Sequence, residues 1–230
     1  MDLKRSYFSK RNDSLLKDDE KNKRHVLGDR EVKTLISLAQ LYGYDMSNLQ
    51  NKTLIDLGSG DQHIEKSLVA KKIKYIGLDI EDLNFEIDQF PFEDNSIDIA
   101  ISLAVLEHLN DPSVFLKEIY RVLKPGGLVY LSTPNFRLCY KTFYNDYTHV
   151  KPYTPESIES LLNAFEYSNP CTYPGLRCKP DWYYLGKYRF LKARILLPFT
   201  GEYKFAPSIL KGKSTSIFAL ASKPILMNAS

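Results

Sequence analysis

A chain that runs Leu54-Ile55-Asp56-Leu57 straight into Gly58-Ser59-Gly60-Asp61 has few folds open to it. Thr53 to Leu57 reads as a buried strand, and the two glycines let the backbone turn sharply without Cβ clashes. A helix is expected to start near Asp61, with Ile64 and Leu68 on its inner face. Strand, glycine turn and helix in that order form one unit of a parallel sheet. The unit then recurs. Lys74 to Leu78 reads as a second strand and Ile97 to Leu103 as a third, apolar enough to be covered on both faces. Asp111-Pro112 opens a helix carrying Phe115, Ile119, Val122 and Leu123, and Lys124-Pro125-Gly126-Gly127 is expected to end it. Leu128 to Ser132 follows as a strand, Thr154-Pro155 opens another helix, and Ser214 to Ala221 returns to strand character. Such alternation is the signature of an α/β, doubly wound, Rossmann-like sheet with helices on both faces.

At 230 residues with 43% hydrophobic content, the chain suits one domain with a sizeable core. Residues 1–28 read as a polar N-terminal arm and 29–230 as the domain, entered by a helix from Asp29 to Tyr44. The stretch from about 174 to 213 breaks the rhythm with nine Lys and Arg interleaved with aromatics, and reads as an insertion before the last strand. It suits a lid, contact with an anionic acceptor such as a nucleotide sugar or lipid-linked phosphate, or nucleic acid, and its pattern alone does not choose among them; peripheral contact with a membrane is open too. A net charge of +3 is too small to argue for nucleic acid. Cys139, Cys171 and Cys178 lack disulfide or metal spacing, and no apolar run reaches the ~20 residues that span a bilayer. With no apolar leader at the N-terminus, a cytoplasmic protein is expected.

The glycine turn exposes backbone amides at a helix start, where a ligand can come close. A dinucleotide turn would look similar, but it wants a third glycine where this chain has His63. Asp79 closes the second strand nineteen residues after Gly60, placed to accept hydrogen bonds from two ribose hydroxyls of any adenosyl cofactor.

The segment Asp88-Gln89-Phe90-Pro91-Phe92-Glu93-Asp94-Asn95-Ser96-Ile97-Asp98 and the later Ser102-Leu103-Ala104-Val105-Leu106-Glu107-His108-Leu109 narrow the choice. With the glycine turn, Gly77-Leu78-Asp79 and Leu123-Lys124-Pro125-Gly126-Gly127, they stand in an order that resembles the small-molecule class I methyltransferases, in the subgroup of ubiquinone-pathway and sugar-modifying enzymes. The resemblance covers roughly residues 50 to 170. It implies a seven-stranded, mostly parallel sheet and S-adenosylmethionine as cofactor. It further implies that Asp56, Gly58, Ser59 and Gly60 hold the methionine part, Asp79 the ribose, and Ile80, Asp88 and Gln89 the adenine. Leu103 would line the cleft near the methyl group. The chain departs from many relatives in having Gln62 where they have glycine.

A sulfonium is already an excellent leaving group, so no metal is needed to activate the methyl, and no metal ligands are assigned. Orientation and exclusion of water are the main tasks. A hydroxyl acceptor also needs its proton removed, which a histidine does well near neutral pH. His149 lies in Asp146-Tyr147-Thr148-His149-Val150-Lys151-Pro152-Tyr153-Thr154, which resembles a stretch in methyltransferases of surface-polysaccharide and sugar pathways. It is the candidate catalytic residue, with His108 as the alternative and His25 and His63 expected at the surface. The expected acceptor is a small molecule, a sugar nucleotide or lipid-linked sugar. Nitrogen or carbon methylation, a nicotinamide-dependent oxidoreductase and a non-catalytic relative of the fold remain open at this point.

Overall fold

The computed structural model describes residues 18–175, 199–200, 205, 207 and 211–225. Helix α1 (Asp18–Tyr42) leads into strand β1 (Thr53–Leu57), helix α2 (Glu65–Ala70), strand β2 (Lys74–Leu78) and strand β3 (Ile97–Leu103). Helix α3 (Ser113–Val122), strand β4 (Leu123–Pro134), the short helix α4 (Phe136–Cys139), helix α5 (Pro155–Ala164) and strand β5 (Ser168–Pro174) follow. Strands β6 (Phe199–Thr200) and β7 (Lys211–Lys213) pair with each other, and β8 (Ser216–Ser222) returns to the main sheet.

That sheet has the order β2-β1-β3-β4-β8-β5. The pairings β1–β2, β1–β3 and β3–β4 are parallel, whereas β8 runs antiparallel to both β4 and β5. Among the described residues the sheet therefore has six strands, not the expected seven. The interval between β2 and β3 explains the difference. A further parallel strand there would need a crossover of roughly a dozen residues on each side, and residues 79–96 are too few for two. They form turns instead, with the Asp82 and Leu83 amides bonded to the Asp79 carbonyl and those of Ile87 and Asp88 to the Asn84 carbonyl.

Side chains alternate along each strand and supply two cores, as a sheet covered on both faces requires. Ile55, Leu57, Ala100, Val129 and Leu131 pack with Phe115, Leu116 and Ile119 of α3 and Ile158 and Leu162 of α5. On the opposite face Leu54, Ile99, Ile101, Leu128 and Tyr130 pack with Val32, Leu35 and Leu38 of α1 and Leu68 of α2. Helices thus cover both faces.

Local sequence explains several element ends. The Thr154 side chain accepts from the Ser157 amide and the Ser157 hydroxyl accepts from the Thr154 amide, a reciprocal cap with Pro155 in the first turn. Asp98, the one acid in β3, sits at the strand's start, where its carboxylate accepts from the Thr53 amide (2.9 Å) and the Lys124 ammonium (2.8 Å). Pro125-Gly126-Gly127 does follow α3, but as an irregularity inside β4. Ile97 pairs with Leu123 and Ile99 with Leu128, so the extra residues bulge out of the ladder. Helix α1 starts at Asp18, well before Asp29, so residues 18–28 are helical rather than part of an arm. Most of the basic 174–213 stretch, and residues 1–17, lie outside the described residues. Among the described residues no helix is long and apolar enough to cross a membrane.

Candidate active site

From β1 the chain moves to β2 on one side and then to β3 on the other, so the winding reverses at β1. In open α/β sheets a crevice forms beyond the strands' carboxyl ends at such a point. The glycine turn occupies it. Gly58 and Gly60 have φ of +84° and +53°, values that glycine tolerates best. The amides of Gly58 and Ser59 both donate to the Leu78 carbonyl, at 2.8 and 3.1 Å, folding the turn over the end of β2. Across the crevice Val105, just after β3, presses against Gly58: a Cβ there would meet Val105 Cγ2 at 2.2 Å.

Asp79 leaves β2 in fixed orientation. One carboxylate oxygen accepts from the Gly60 amide (2.9 Å) and the other from the Ile80 amide (2.7 Å). Each oxygen can accept more than one bond, so the same carboxylate can also take ribose hydroxyls. Asp56 is buried and accepts from the Tyr75 hydroxyl at 2.9 Å. Burial pushes its pKa up to about 7, against the lowering effects of the Tyr75 hydrogen bond and the His63 charge. Ser59 is buried too and hydrogen-bonds with the Tyr75 hydroxyl, so this side chain is already engaged within the protein. The structure thus brings Asp56, Gly58, Ser59, Gly60, Asp79 and Ile80 together.

His63 is not a free surface residue. Its ring is held between Glu31 of α1 and Asp61 of the turn, with its pKa raised first by the Glu31 hydrogen bond. Helix α1 also presses on its backbone, since a Cβ on Gly28 would meet the His63 carbonyl oxygen at 2.1 Å. Gln62 stands in the left-handed region at φ +53°, a conformation in which glycine is the less strained residue.

Asp88 and Gln89 are exposed on the loop after β2. The Asp88 carboxylate accepts from the Asn84 amide at 2.6 Å. Helix α3 holds the loop from below: Glu118 accepts from the Phe90 amide, and Arg121 donates to the carbonyls of Phe90 and Phe92 while pairing with Glu118 and Asp94. These two supports were not assigned from sequence, although an acid and a base three residues apart on one helix face are a visible signal. Leu103, the last residue of β3, is half-buried against the α1-side core.

A second cluster stands beyond β3 and β4. A 3-10 turn, Leu106–His108, follows β3, and the segment after α4 brings Asp146, Thr148 and His149 against it. The backbone amides of Val150 and Lys151 both donate to the Glu107 carbonyl, which locks the two segments together. His149 Nδ1 lies 2.7 Å from the Phe143 carbonyl oxygen. A carbonyl only accepts, so Nδ1 carries the proton and Nε2 of the neutral ring carries the lone pair. The ring packs between Phe143 (centroids 4.6 Å apart) and His108 (4.8 Å), with Asp146 4.0 Å from Nε2. Asp146 is itself raised by burial, but bonds from the Thr148 side chain and amide outweigh this and hold it low. Glu107, which sequence reading left without a role, is 1% exposed and accepts from the Thr133 hydroxyl at 3.0 Å. Burial pushes its pKa up to about 7.

A family model described as a methyltransferase domain matches residues 28–171, the span from α1 through every residue of both clusters. The chain belongs to the methyltransferase-domain family. A probable S-adenosylmethionine-dependent methyltransferase of Mycolicibacterium smegmatis is 36% identical over 76 residues, which cover 33% of this chain and 29% of that protein. A mitochondrial ubiquinone biosynthesis O-methyltransferase of Dictyostelium discoideum is 29% identical over 101 residues, covering 44% and 30%. The methyltransferase thus spans under a third of the length of each of these curated relatives. A solved complex of the Haloferax volcanii Trm112 methyltransferase activator with a methyltransferase matches at a TM-score of 0.56 and 16% identity, over 90% of this chain and 95% of that one. At that identity the likeness concerns the fold alone. Family membership, with His63 in the place of a third glycine, decides against the nicotinamide reading.

Proposed function

We propose that this methyltransferase binds S-adenosylmethionine at the glycine turn and methylates a hydroxyl of a small sugar-type acceptor in the cytoplasm, a sugar nucleotide or lipid-linked sugar. The turn from Asp56 to Gly60 takes the methionine part, Asp79 the ribose, and Ile80, Asp88 and Gln89 the adenine. The acceptor enters beside His149. Its hydroxyl proton passes to His149 Nε2 while the oxygen attacks the methyl carbon; the carbon–sulfur bond breaks, leaving a methyl ether and S-adenosylhomocysteine. A sulfonium needs no further activation, so alignment carries most of the rate, worth roughly 7–11 kcal/mol in well-oriented systems.

The observation that carries the acceptor half is His149 itself: a ring anchored through Nδ1–H, which leaves Nε2 as the acceptor that a general base requires. Tyr140, Tyr144 and Tyr147 on the same segment are 57%, 59% and 66% exposed. Such rings offer an apolar face with a polar edge, suited to a pyranose or a nucleotide base. They would serve a phenolic ring equally well, and the relative described as a ubiquinone biosynthesis O-methyltransferase makes a quinol the second reading.

The test incubates the protein and S-adenosylmethionine with sugar nucleotides, lipid-linked sugars and catechol-type phenols, and reads a mass gain of one methyl group. His149→Ala should cut turnover by about 10²–10⁴ with cofactor affinity essentially unchanged. Asp79→Ala should instead weaken cofactor binding by roughly ten- to a hundredfold, the worth of hydrogen bonds to a charged group. Undiminished turnover in the His149 variant removes that residue from the mechanism, and unchanged affinity in the Asp79 variant refutes the ribose assignment.

A further inference from the structure

We propose that Glu107, His108 and His149 form a binding site for a divalent transition-metal ion of the zinc class, beside the acceptor hydroxyl. One potential ligand atom from each of the three lies within 4.8 Å of the others, although His149 is some forty residues away along the chain.

Hydrogen bonding shows which nitrogen of each ring is already engaged. The Thr148 hydroxyl gives its own proton to Asp146 at 2.6 Å, so toward His108 Nδ1, 2.9 Å away, it accepts; the Thr148 carbonyl, 3.1 Å from the same nitrogen, can only accept. His108 therefore carries its proton on Nδ1, as His149 does through Phe143. Both neutral rings then have the lone pair on Nε2. An imidazole whose Nδ1–H is pinned to a backbone carbonyl is the usual supporting arrangement of a metal-binding histidine, since it sets both tautomer and ring direction. The two rings also pack at a tilt of 57°, with centroids 4.8 Å apart.

Glu107 supplies the charge. Among the described residues its one bonded side-chain partner is the Thr133 hydroxyl, and no ion pair neutralises it. A buried carboxylate without a counter-charge is costly, and a bound cation removes that cost. Two imidazole nitrogens and one carboxylate oxygen are a donor set that suits zinc, cobalt or ferrous iron better than calcium or magnesium, and three protein ligands leave a position open. Donors around a tetrahedral zinc stand about 3.3 Å apart at bonds near 2.0–2.1 Å, so ligand atoms spread over as much as 4.8 Å have to draw together on binding. The ion's function rests on the acceptor reading above. With the ion bound, the His149 lone pair goes to the metal, and the acceptor hydroxyl, on the open position, is acidified and releases its proton to water. Without it, His149 takes the proton itself.

The test strips the full-length protein with a chelator and titrates it with zinc by calorimetry and with cobalt(II) by visible absorption. One equivalent should bind, with cobalt bands of the intensity that four- or five-coordination gives. Glu107→Gln and His149→Gln should each weaken zinc at least tenfold while circular dichroism and S-adenosylmethionine affinity stay as in the parent. The absence of both zinc heat and cobalt bands overturns the site, as does binding that survives both substitutions, which would place the ion elsewhere. Loss of cofactor binding in the parent protein is a separate result: it would sink the methyl-transfer reading and leave the metal titration standing on its own.

Discussion

The two ends of the crevice are built from opposite materials. At the β1–β2 end the surface is mostly backbone: the turn from Gly58 to Gly60, whose amides are tied to the Leu78 carbonyl and the Asp79 carboxylate. At the β3–β4 end it is side chains: two imidazoles and a carboxylate, set by Thr148, Phe143 and Thr133. Backbone geometry is a local property and tolerates almost any scaffold that keeps the turn. A side-chain constellation depends on two loops that must arrive together. The first suits a cofactor of fixed shape. The second can be rebuilt for new acceptors without disturbing the first.

The largest expected effect breaks this division at the one place where the ends touch. Gly58→Ala puts a methyl 2.2 Å from Val105 Cγ2 and forces a side chain to φ +84°. Strain and overpacking together should cost roughly 2–5 kcal/mol of stability, with cofactor binding lost. Adding Val105→Ala relieves the clash but not the backbone strain, so denaturant melts of both variants should show partial rescue. Complete rescue would mean that only sterics matter at Gly58, and no rescue would mean that the two ends are not coupled there.

The same division explains what could be read in advance. The turn from Asp56 to Gly60 and Asp79 at the end of β2 are each signalled by contiguous residues in one βαβ unit, and the structure does bring them together. Helix faces were equally readable, as Phe115, Ile119, Ile158 and Leu162 in the core confirm. The missing seventh strand was not, because it depended on counting what residues 79–96 can accommodate rather than on any pattern within them. Nor was the role of Glu107. An acid next to a histidine looks like any polar turn until the sheet buries it at 1% exposure against Thr133, twenty-six positions away. His63 failed in the same way, since its partner Glu31 belongs to another helix.

A pH experiment sharpens the cofactor side. Asp56 has its pKa pushed up to about 7 by burial, against 3.8 as the ordinary value, with Tyr75, His63, Glu31 and Asp79 the groups that act on it. The folded protein then keeps this proton where the unfolded chain has lost it. By linkage, stability falls as pH rises from about 4 to about 7 and levels off above. Asp56→Asn keeps an acceptor for the Tyr75 hydroxyl and has no proton to lose. The variant should therefore gain on the ligand-free parent across that window, by on the order of 3–4 kcal/mol at pH 8. A gap that does not change with pH would show that Asp56 is ionised throughout, held by charges and not by burial.

The smallest effect tests whether the turn is under strain that its function uses. Gln62 sits at φ +53° directly after the glycine turn, where an L-residue is held against its preference. Gln62→Gly removes that penalty, about 1 kcal/mol or more, but gives the unfolded chain more freedom, which returns roughly half to all of it. A net change within about 1 kcal/mol, of either sign, is expected in urea. The cofactor measurement is the informative one. The Gln62 amide donates to the Ser59 carbonyl at 2.8 Å, closing the turn from behind. Glycine keeps that amide but loosens the backbone that carries it, so if the Gln62 conformation holds the turn in place, the variant should bind S-adenosylmethionine more weakly even where its melt is unchanged. Equal affinity would instead assign the rigidity of the turn to Asp79 and Leu78 in front of it.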